Sequence, residues 1–292
     1  MSEGRWVWVG GEREPVAPED ARISATEHAY LYGSGLYETL RTYNGRPFGL
    51  DEHLRRLTAG MTAMGWGHPP LGEMAKTLEA LAARRAPEGS YLRLALGPGL
   101  QFPGWNEPLV GPVRWCAYAG PLPPRAEVHY DRGVSCVTAT RPRWNPGGFI
   151  PAVKFAGNAD LWLAKKEADA QGAYEALLLN SSGQLAEGSS SSVFLVNAGR
   201  LVTPDLASGI LDGVTRSVVL ALAPRAGLEA EERTVLPGEL LAAQEVWLTS
   251  TLKEVVPVVS VDGHPIGRGA PGAAAGRMLG LLREFALEHT KG

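Results

Sequence analysis

Apolar and polar positions alternate along this chain in two rhythms, one of period two and one of period near 3.6. Residues 5–9 (RWVWV) read as a strand, and Gly10 and Gly11 then read as a turn. Asp51 opens a helix along which Leu54, Leu57, Met61 and Met64 recur at i, i+3, i+7 and i+10 as one apolar stripe. Leu71, Met74, Leu78 and Leu81 repeat the stripe and predict a second helix near 71–85. YLRLAL (91–96) alternates as a strand does, and VRWCAYA (113–119) closes this half. The Gly- and Tyr-rich stretch YLYGSGLYETLRTYNGRPF, before the first helix, receives no element from this pattern.

Pro121, Pro123 and Pro124 stiffen the stretch GPLPPRAEV and supply no ladder donors, which marks 121–131 as an interdomain linker. The expected domains are therefore 1–120 and 132–292. The second half opens with the strand VSCVTAT (134–140) and the loop RPRWNPGGFIPA. A helix at about 160–171, the strand EALLLN (175–180) and a hairpin turn at Ser182 and Gly183 follow. VFLVNAGRLVTP precedes GILDGVTRSVVLALA, a turn running into a helix. The strand EVWLTST, a Val-rich segment around Asp262 and Gly263, and the amphipathic helix GRMLGLLREFALEH finish the chain.

Composition narrows the classes. The chain has 292 residues, 45% of them apolar and 20% charged. At ~150 residues per domain that length suggests two domains. It also suffices to bury ~75% of the unfolded surface, so neither disulfides nor a structural metal are required. Net charge is −3 with both signs interspersed, which gives no electrostatic footprint for nucleic acid. Cys116 and Cys136 sit in apolar, strand-like surroundings and read as reduced thiols. The N-terminus lacks a signal-peptide pattern, and no apolar run approaches the ~18 residues of a membrane span. A cytoplasmic globular protein is expected.

Several chemistries lack their anchors. There is no C-x-x-C, H-E-x-x-H or G-x-x-x-x-G-K-[ST], and no two of the six histidines stand at helical ligand spacing. No G-x-S-x-G occurs, and no G-x-G-x-x-G follows a strand. Metal, nucleophile-elbow and dinucleotide sites are set aside.

What remains is a lysine, a carboxylate and a set of anion-binding groups. Lys154, in IPAVKFAGN, ends an apolar segment; it reads either as a snorkelling surface lysine or as a desolvated amine able to form a Schiff base. Glu187 follows a strand and turn, with Gly188 and four serines after it. Gly213, Val214 and Thr215 begin a helix whose free N–H groups and dipole suit an anion, though an ordinary capped helix reads the same. Thr249, Ser250 and Thr251 stand at a strand end, and Arg56 in EHLRRL adds a guanidinium suited to phosphate. An imine-forming lysine, a carboxylate for a ring nitrogen and a phosphate cup are what pyridoxal phosphate requires.

With these residues in view the sequence resembles the class IV (fold type IV) pyridoxal-phosphate aminotransferases. That family includes branched-chain and D-amino acid aminotransferases, (R)-amine transaminases and aminodeoxychorismate lyases. The matching stretches are LYGSGLYETLRTYNGRPF, DEHLRRL, VKFAGN, AEGSSSSVF, LVTPDLASGILDGVTR and EVWLTSTLKEVVPV, from about Trp6 to Val261. The resemblance implies an α/β fold: a small N-terminal α/β domain and a larger C-terminal α/β pseudobarrel that carries the Schiff-base lysine. It implies pyridoxal 5'-phosphate as cofactor, with Lys154 as the Schiff-base lysine and acid/base. Glu187 would pair with the ring nitrogen, and Arg56, Val214, Thr215 and Thr251 would hold the phosphate. A homodimer or higher homo-oligomer is implied, working on small molecules without metal, nucleic acid or membrane.

Features of different branches coexist. Lys154-Phe-Ala-Gly-Asn158 and the YLR strand, with Tyr91 and Arg93, look like branched-chain aminotransferases, where the matching Arg can meet a carboxylate. Those enzymes follow the Asn with a Tyr that contacts the ring hydroxyl, whereas this chain has Ala159. Tyr37 and Glu38 in GLYETLR, and EGSSSSVF, look more like D-amino acid aminotransferases and lyases. Candidate substrate residues are Tyr37, Tyr91, Arg93, Arg143 and Leu252, with Arg141 as a further anchor; an arginine beside proline and tryptophan also reads as structural. Phe102, Trp105 and Trp144 suit either an apolar substrate side chain or packing at a dimer interface. The expected reaction moves an amino group from a hydrophobic or branched-chain amino acid, a D-amino acid or an (R)-amine to a 2-oxo acid. The alternatives are an aminodeoxychorismate lyase releasing pyruvate and a non-catalytic cofactor-binding protein.

Overall fold

A computed structural model describes residues 4–67, 69–85, 89–102, 104, 106–123, 127–144 and 153–291. Trp105 and most of the RPRWNPGGFIPA loop, from 145 to 152, lie outside the described residues. The chain divides into two compact units. One comprises Met1–Pro124, Ala152–Gly157 and Ala286–Gly292; the other comprises Arg125–Pro151 and Asn158–Phe285.

The first unit is built on an antiparallel sheet in the order β1-β5-β4-β2-β3. Its strands are β1 (Trp6–Val9), β2 (Leu36–Tyr43), β3 (Arg46–Pro47), β4 (Ser90–Gly97) and β5 (Arg114–Pro121). Helices α1 (His28–Tyr32), α2 (Leu50–Ala63) and α3 (Leu71–Ala83) complete it. β2 occupies the stretch to which periodicity gave no element. Its aromatic and β-branched residues suit a pleated surface, and Asn44 and Gly45, both at positive φ, turn it into β3 as a two-residue hairpin loop. In α2 the buried stripe is His53, Leu57, Gly60 and Met61, so a histidine takes a place on the apolar face.

The second unit is a nine-stranded mixed sheet ordered β11-β10-β9-β12-β13-β6-β7-β8, with β14 paired to β13. In chain order its elements are α4 (Val128–Arg132), β6 (Val134–Thr138), α5 (Ala159–Ala170), β7 (Glu175–Leu179), β8 (Leu185–Gly188), β9 (Ser192–Asn197) and β10 (Arg200–Pro204). Then come α6 (Val214–Leu222), β11 (Glu229–Arg233), α7 (Pro237–Ala242), β12 (Glu245–Ser250), β13 (Glu254–Val261), β14 (His264–Pro265) and α8 (Ala273–His289). The sheet curls, because Leu185 of β8, Val193 and Leu195 of β9, Val202 of β10, Leu248 of β12 and Val258 of β13 share one apolar core. On the other face of β9, Phe194 and Val196 pack with Trp247, with Val219 and Leu222 of α6 and with Met278 and Leu282 of α8. A strand buried on both faces must be apolar at every position, which is why VFLV has no alternation. Ala164 and Ala168 of α5 cover Val137, Ala176 and Leu178.

The expected boundaries need correction. Pro121 is the last residue of β5, paired with Ser90, and Val128–Arg132 is helical, so 121–131 is only partly a linker. The segment carrying Lys154 was expected in the C-terminal domain but belongs to the first unit. The Tyr37 N–H donates to the Lys154 carbonyl at 3.0 Å and the Ala156 N–H to Gly35 at 2.7 Å, so its backbone is tied to the start of β2. The last turn of α8 also belongs there: Asn44 Nδ2 donates to the Leu287 carbonyl at 3.1 Å. Both cysteines are free thiols, pushed up by burial. Among the described residues no helix is long and apolar enough to cross a membrane, and no group of three or more candidate ligands could hold a metal.

Candidate active site

Lys154 is half-buried, between Val153, which is buried, and Phe155, whose backbone bridges to Leu36. Its ammonium lies 5.1 Å from the centre of the Tyr37 ring, and the Arg93 guanidinium lies 3.9 Å from the same ring. The register explains this meeting. Thr39 of β2 stands opposite Arg93 of β4 and Tyr37 opposite Ala95, so Tyr37 and Arg93 project on one face while Leu92, Leu94 and Leu96 are buried on the other. Burial pushes the Tyr37 phenol up, and Arg93 offsets part of that rise. Tyr91, two residues before Arg93, packs edge-on against Tyr118. The first unit thus brings together Lys154, Tyr37 and Arg93 from the expected set.

Arg56, on α2 of the same unit, acts electrostatically on Tyr37 and pairs with its neighbour Glu38. Its Nε donates to Glu38 Oε1 at 2.8 Å and its Nη2 to Glu38 Oε2 at 2.6 Å, a bidentate pair. His53, three residues earlier on the same helix face, places Nδ1 2.7 Å from Glu38 Oε2. Burial alone would raise the Glu38 pKa, but Arg56 and His53 bring it down to about 2. Burial lowers His53 from its ordinary value of 6.5, with Glu38 only partly opposing, so a neutral ring donates to the carboxylate.

A stability profile follows from these directions. The unfolded chain binds a proton at His53 below pH 6.5 that the fold resists, so stability falls as pH drops through that value. Glu38 acts in the same sense at lower pH: its contribution is full above 4.5 and is lost as pH falls to about 2. Melting temperatures measured from pH 8 to pH 4 should decline below pH 6.5, and His53→Gln should flatten the first part of that decline. Equal slopes for wild type and variant between pH 6.5 and pH 5 would remove His53 from this role.

In the second unit Glu187 stands near the end of β8, 6% exposed. Oε1 accepts from Arg143 Nε at 2.7 Å and Oε2 from the Leu211 N–H at 3.1 Å. Of the two readings of Arg143, substrate anchor or structural arginine, this geometry favours the second. Arg143 is buried, and its Nη1 donates to Asp160 at 2.6 Å, so its guanidinium bridges two carboxylates. Burial would lower its pKa, but Glu187 and Asp160 hold it above its ordinary value. Arg141 makes an exposed ion pair with Glu167. Phe102 and Trp144 are exposed, and so is Ala159, the first residue of α5.

At the start of α6 no side chain caps Gly213, and Val214 and Thr215 are buried in the first turn, where amides have no partner within the helix. A Cβ at Gly213 would come within 3.0 Å of the Ser192 hydroxyl, so glycine permits this approach. Thr251 and Leu252 form the turn between β12 and β13 and are half-buried. The neighbouring Thr249 hydroxyl is buried and has no hydrogen-bond partner among the described residues. Amides at a helix start, hydroxyls and a buried carboxylate fit an anionic, ring-nitrogen cofactor by their donor chemistry. Sequence reasoning assigned no role to His53, Asp160, Glu175 or Lys253. Glu175, a charge opening the otherwise apolar strand EALLL, was the legible signal among them.

The first unit holds a lysine amine beside an aromatic–guanidinium pair, and the second an arginine-held carboxylate and an uncapped helix start; each suits an enzyme that handles amines with a phosphorylated carbonyl cofactor. Comparison with known proteins gives the family. The amino-transferase class IV family matches residues 35–261. D-alanine aminotransferase of Bacillus licheniformis is 34% identical over 275 residues, 93% of this chain and 94% of that protein. The putative branched-chain-amino-acid aminotransferase of Methanocaldococcus jannaschii is 33% identical over 86% of both. Among solved structures, the Escherichia coli branched-chain amino acid aminotransferase superposes with a TM-score of 0.90 at 27% identity, over 98% of this chain and 96% of that one. The branched-chain amino acid aminotransferase of Thermobaculum terrenum, in its PLP form, gives 0.85 at 28% identity, over 97% and 94%. The chain belongs to the class IV aminotransferases; it has their α/β fold and is a pyridoxal-phosphate-dependent aminotransferase.

Proposed function

We propose that the chain transfers the amino group of a hydrophobic amino acid to a 2-oxo acid, with Lys154 as the reacting amine. The observation that carries this reading is the grouping of Lys154 with Tyr37 and Arg93 on a face of the first unit, an amine beside an aromatic surface and a carboxylate-binding cation. Bound pyridoxal phosphate supplies an aldehyde for the donor amine and a ring that accepts electrons when the donor Cα loses its proton. Lys154 would bind the cofactor through its amine and, as a free amine, would carry the donor Cα proton. Glu187, fixed by Arg143 and the Leu211 amide, would pair with the ring nitrogen. Arg56, the Val214 and Thr215 amides and Thr251 bind the phosphate, and Arg93 with Tyr91 and Leu252 orients the donor. The reading extends to a homodimer or larger homo-oligomer acting in the cytoplasm.

The test is the visible absorbance of the reconstituted protein as L-amino acids, D-amino acids and (R)-amines are added singly. Bleaching by branched-chain or other hydrophobic L-amino acids is expected. Bleaching by D-amino acids alone would reassign the donor, a possibility supported by the likeness to a D-alanine aminotransferase. Release of pyruvate from aminodeoxychorismate with no amino acceptor would favour the lyase.

A further inference from the structure

We propose that Glu175 is a positioning residue that locks two loops of the cofactor site to each other, the turn Gly188–Ser191 after Glu187 and the turn 251–253 after β12. This rests on the assignment of Glu187 and Thr251 to the cofactor. Glu175 opens β7 and is wholly buried. Its Oε1 accepts from the Ser190 N–H at 2.6 Å, the Ser190 hydroxyl at 3.2 Å and the Ser189 hydroxyl at 3.3 Å. Its Oε2 accepts from the Lys253 ammonium, which also donates to the Ser190 hydroxyl at 2.6 Å. One carboxylate and one ammonium therefore join a residue three positions after Glu187 to a residue two positions after Thr251.

The surroundings are built for this contact. The Ser189 N–H donates to Ala176 and the Gly188 N–H to Ser191, which folds the first turn back over Glu175. A Cβ at Gly188 would stand 2.5 Å from the Ser191 hydroxyl and 2.8 Å from Glu175 Oε1, so only glycine leaves the carboxylate its place. In the second turn the Lys253 N–H donates to the Ser250 hydroxyl at 3.3 Å, and its ammonium lies 5.5 Å from the Tyr174 ring centre. Burial would raise the Glu175 pKa, yet Lys253 and the Ser190 N–H hold it below the ordinary value, so it is charged at neutral pH.

A buried ion pair is a poor device for stability alone, since apolar residues of similar volume often stabilise as well or better. A pair that joins two loops fixes their register instead. Misplacement of binding groups by about 1 Å can cost on the order of 100-fold in rate.

The test uses Glu175→Gln/Lys253→Met, which removes both charges, strands neither, and keeps a carbonyl for the Ser190 N–H. Pyridoxal phosphate dissociation is followed by equilibrium dialysis of the full chain, with donor KM, kcat and melting temperature measured alongside. The proposal expects a melting temperature close to wild type, with the cofactor dissociation constant and KM raised on the order of 10- to 100-fold. A folded variant with both constants unchanged overturns it. If the double variant does not fold, Glu175→Asp, which keeps the charge but shortens the reach, must give the same rise in both constants or the proposal falls. Wild-type protein that takes up no pyridoxal phosphate overturns the cofactor reading itself, and with it this role for Glu175; uptake by wild type separates the two failures.

Discussion

Lys154→Ala should lower turnover by at least ~10³-fold with the fold intact, because a positioned acid–base group alone contributes ~10²–10⁴-fold and this lysine also holds the cofactor. The fold should survive because the bonds that seat the segment, Tyr37 to the Lys154 carbonyl and Ala156 to Gly35, run through backbone atoms that alanine keeps. The side chain is only half-buried, so its removal costs about 1 kcal/mol. No substitute stands ready in Lys253, whose ammonium is engaged by Glu175 and Ser190. Steady-state kinetics at saturating cofactor, with a melting curve, checks the outcome. A folded variant that turns over at the wild-type rate would withdraw Lys154 from the chemistry.

Glu38→Ala carries the largest expected loss of stability. Glu38 is 1% exposed and is the shared acceptor for Arg56 and His53, whose side chains are 9% and 2% exposed. Removing it leaves a guanidinium and an imidazole beneath α2 without their carboxylate, at a cost of about 3–5 kcal/mol. That is a large part of the roughly 5–15 kcal/mol typical of a folded domain. Urea denaturation measures it, and Glu38→Gln should lose less because an amide oxygen still accepts. Since Arg56 is also assigned to the phosphate, both variants should bind pyridoxal phosphate more weakly. A loss below about 1 kcal/mol for Glu38→Ala would mean that Arg56 and His53 find other partners or water.

Much of this was legible because burial imposes period. The stripe Met74, Leu78 and Leu81, the alternation of YLRLAL and the unbroken VFLV each mark a different degree of covering. β2 escaped because its buried positions include Glu38, Arg41 and Thr42, so buried polar residues break its alternation. Asn44-Gly45 was the overlooked signal, a two-residue turn between extended segments. Six ordered motifs exposed the family, and the resemblance proposes Lys154, Glu187 and Arg56 for its site. The partners of Arg143 were not legible, because an arginine beside proline and tryptophan gives no hint of carboxylates 17 and 44 residues away. Long-range pairing of this kind leaves no period in a sequence.

The Lys154 segment has a consequence for how the chain can be made. The edge of β2 near Gly35 and Tyr37 is closed by residues that leave the ribosome more than a hundred positions later, and Asn44 meets Leu287 only 243 positions on. The N-terminal stretch therefore cannot mature in the order in which it emerges. It must wait with an unpaired strand edge, the kind of exposure that invites association between nascent chains and slows folding through long loop closures. A fragment ending at Pro124 would carry α1, α2, α3 and all five strands of the first unit's sheet, yet leave Lys154 on the piece cut away.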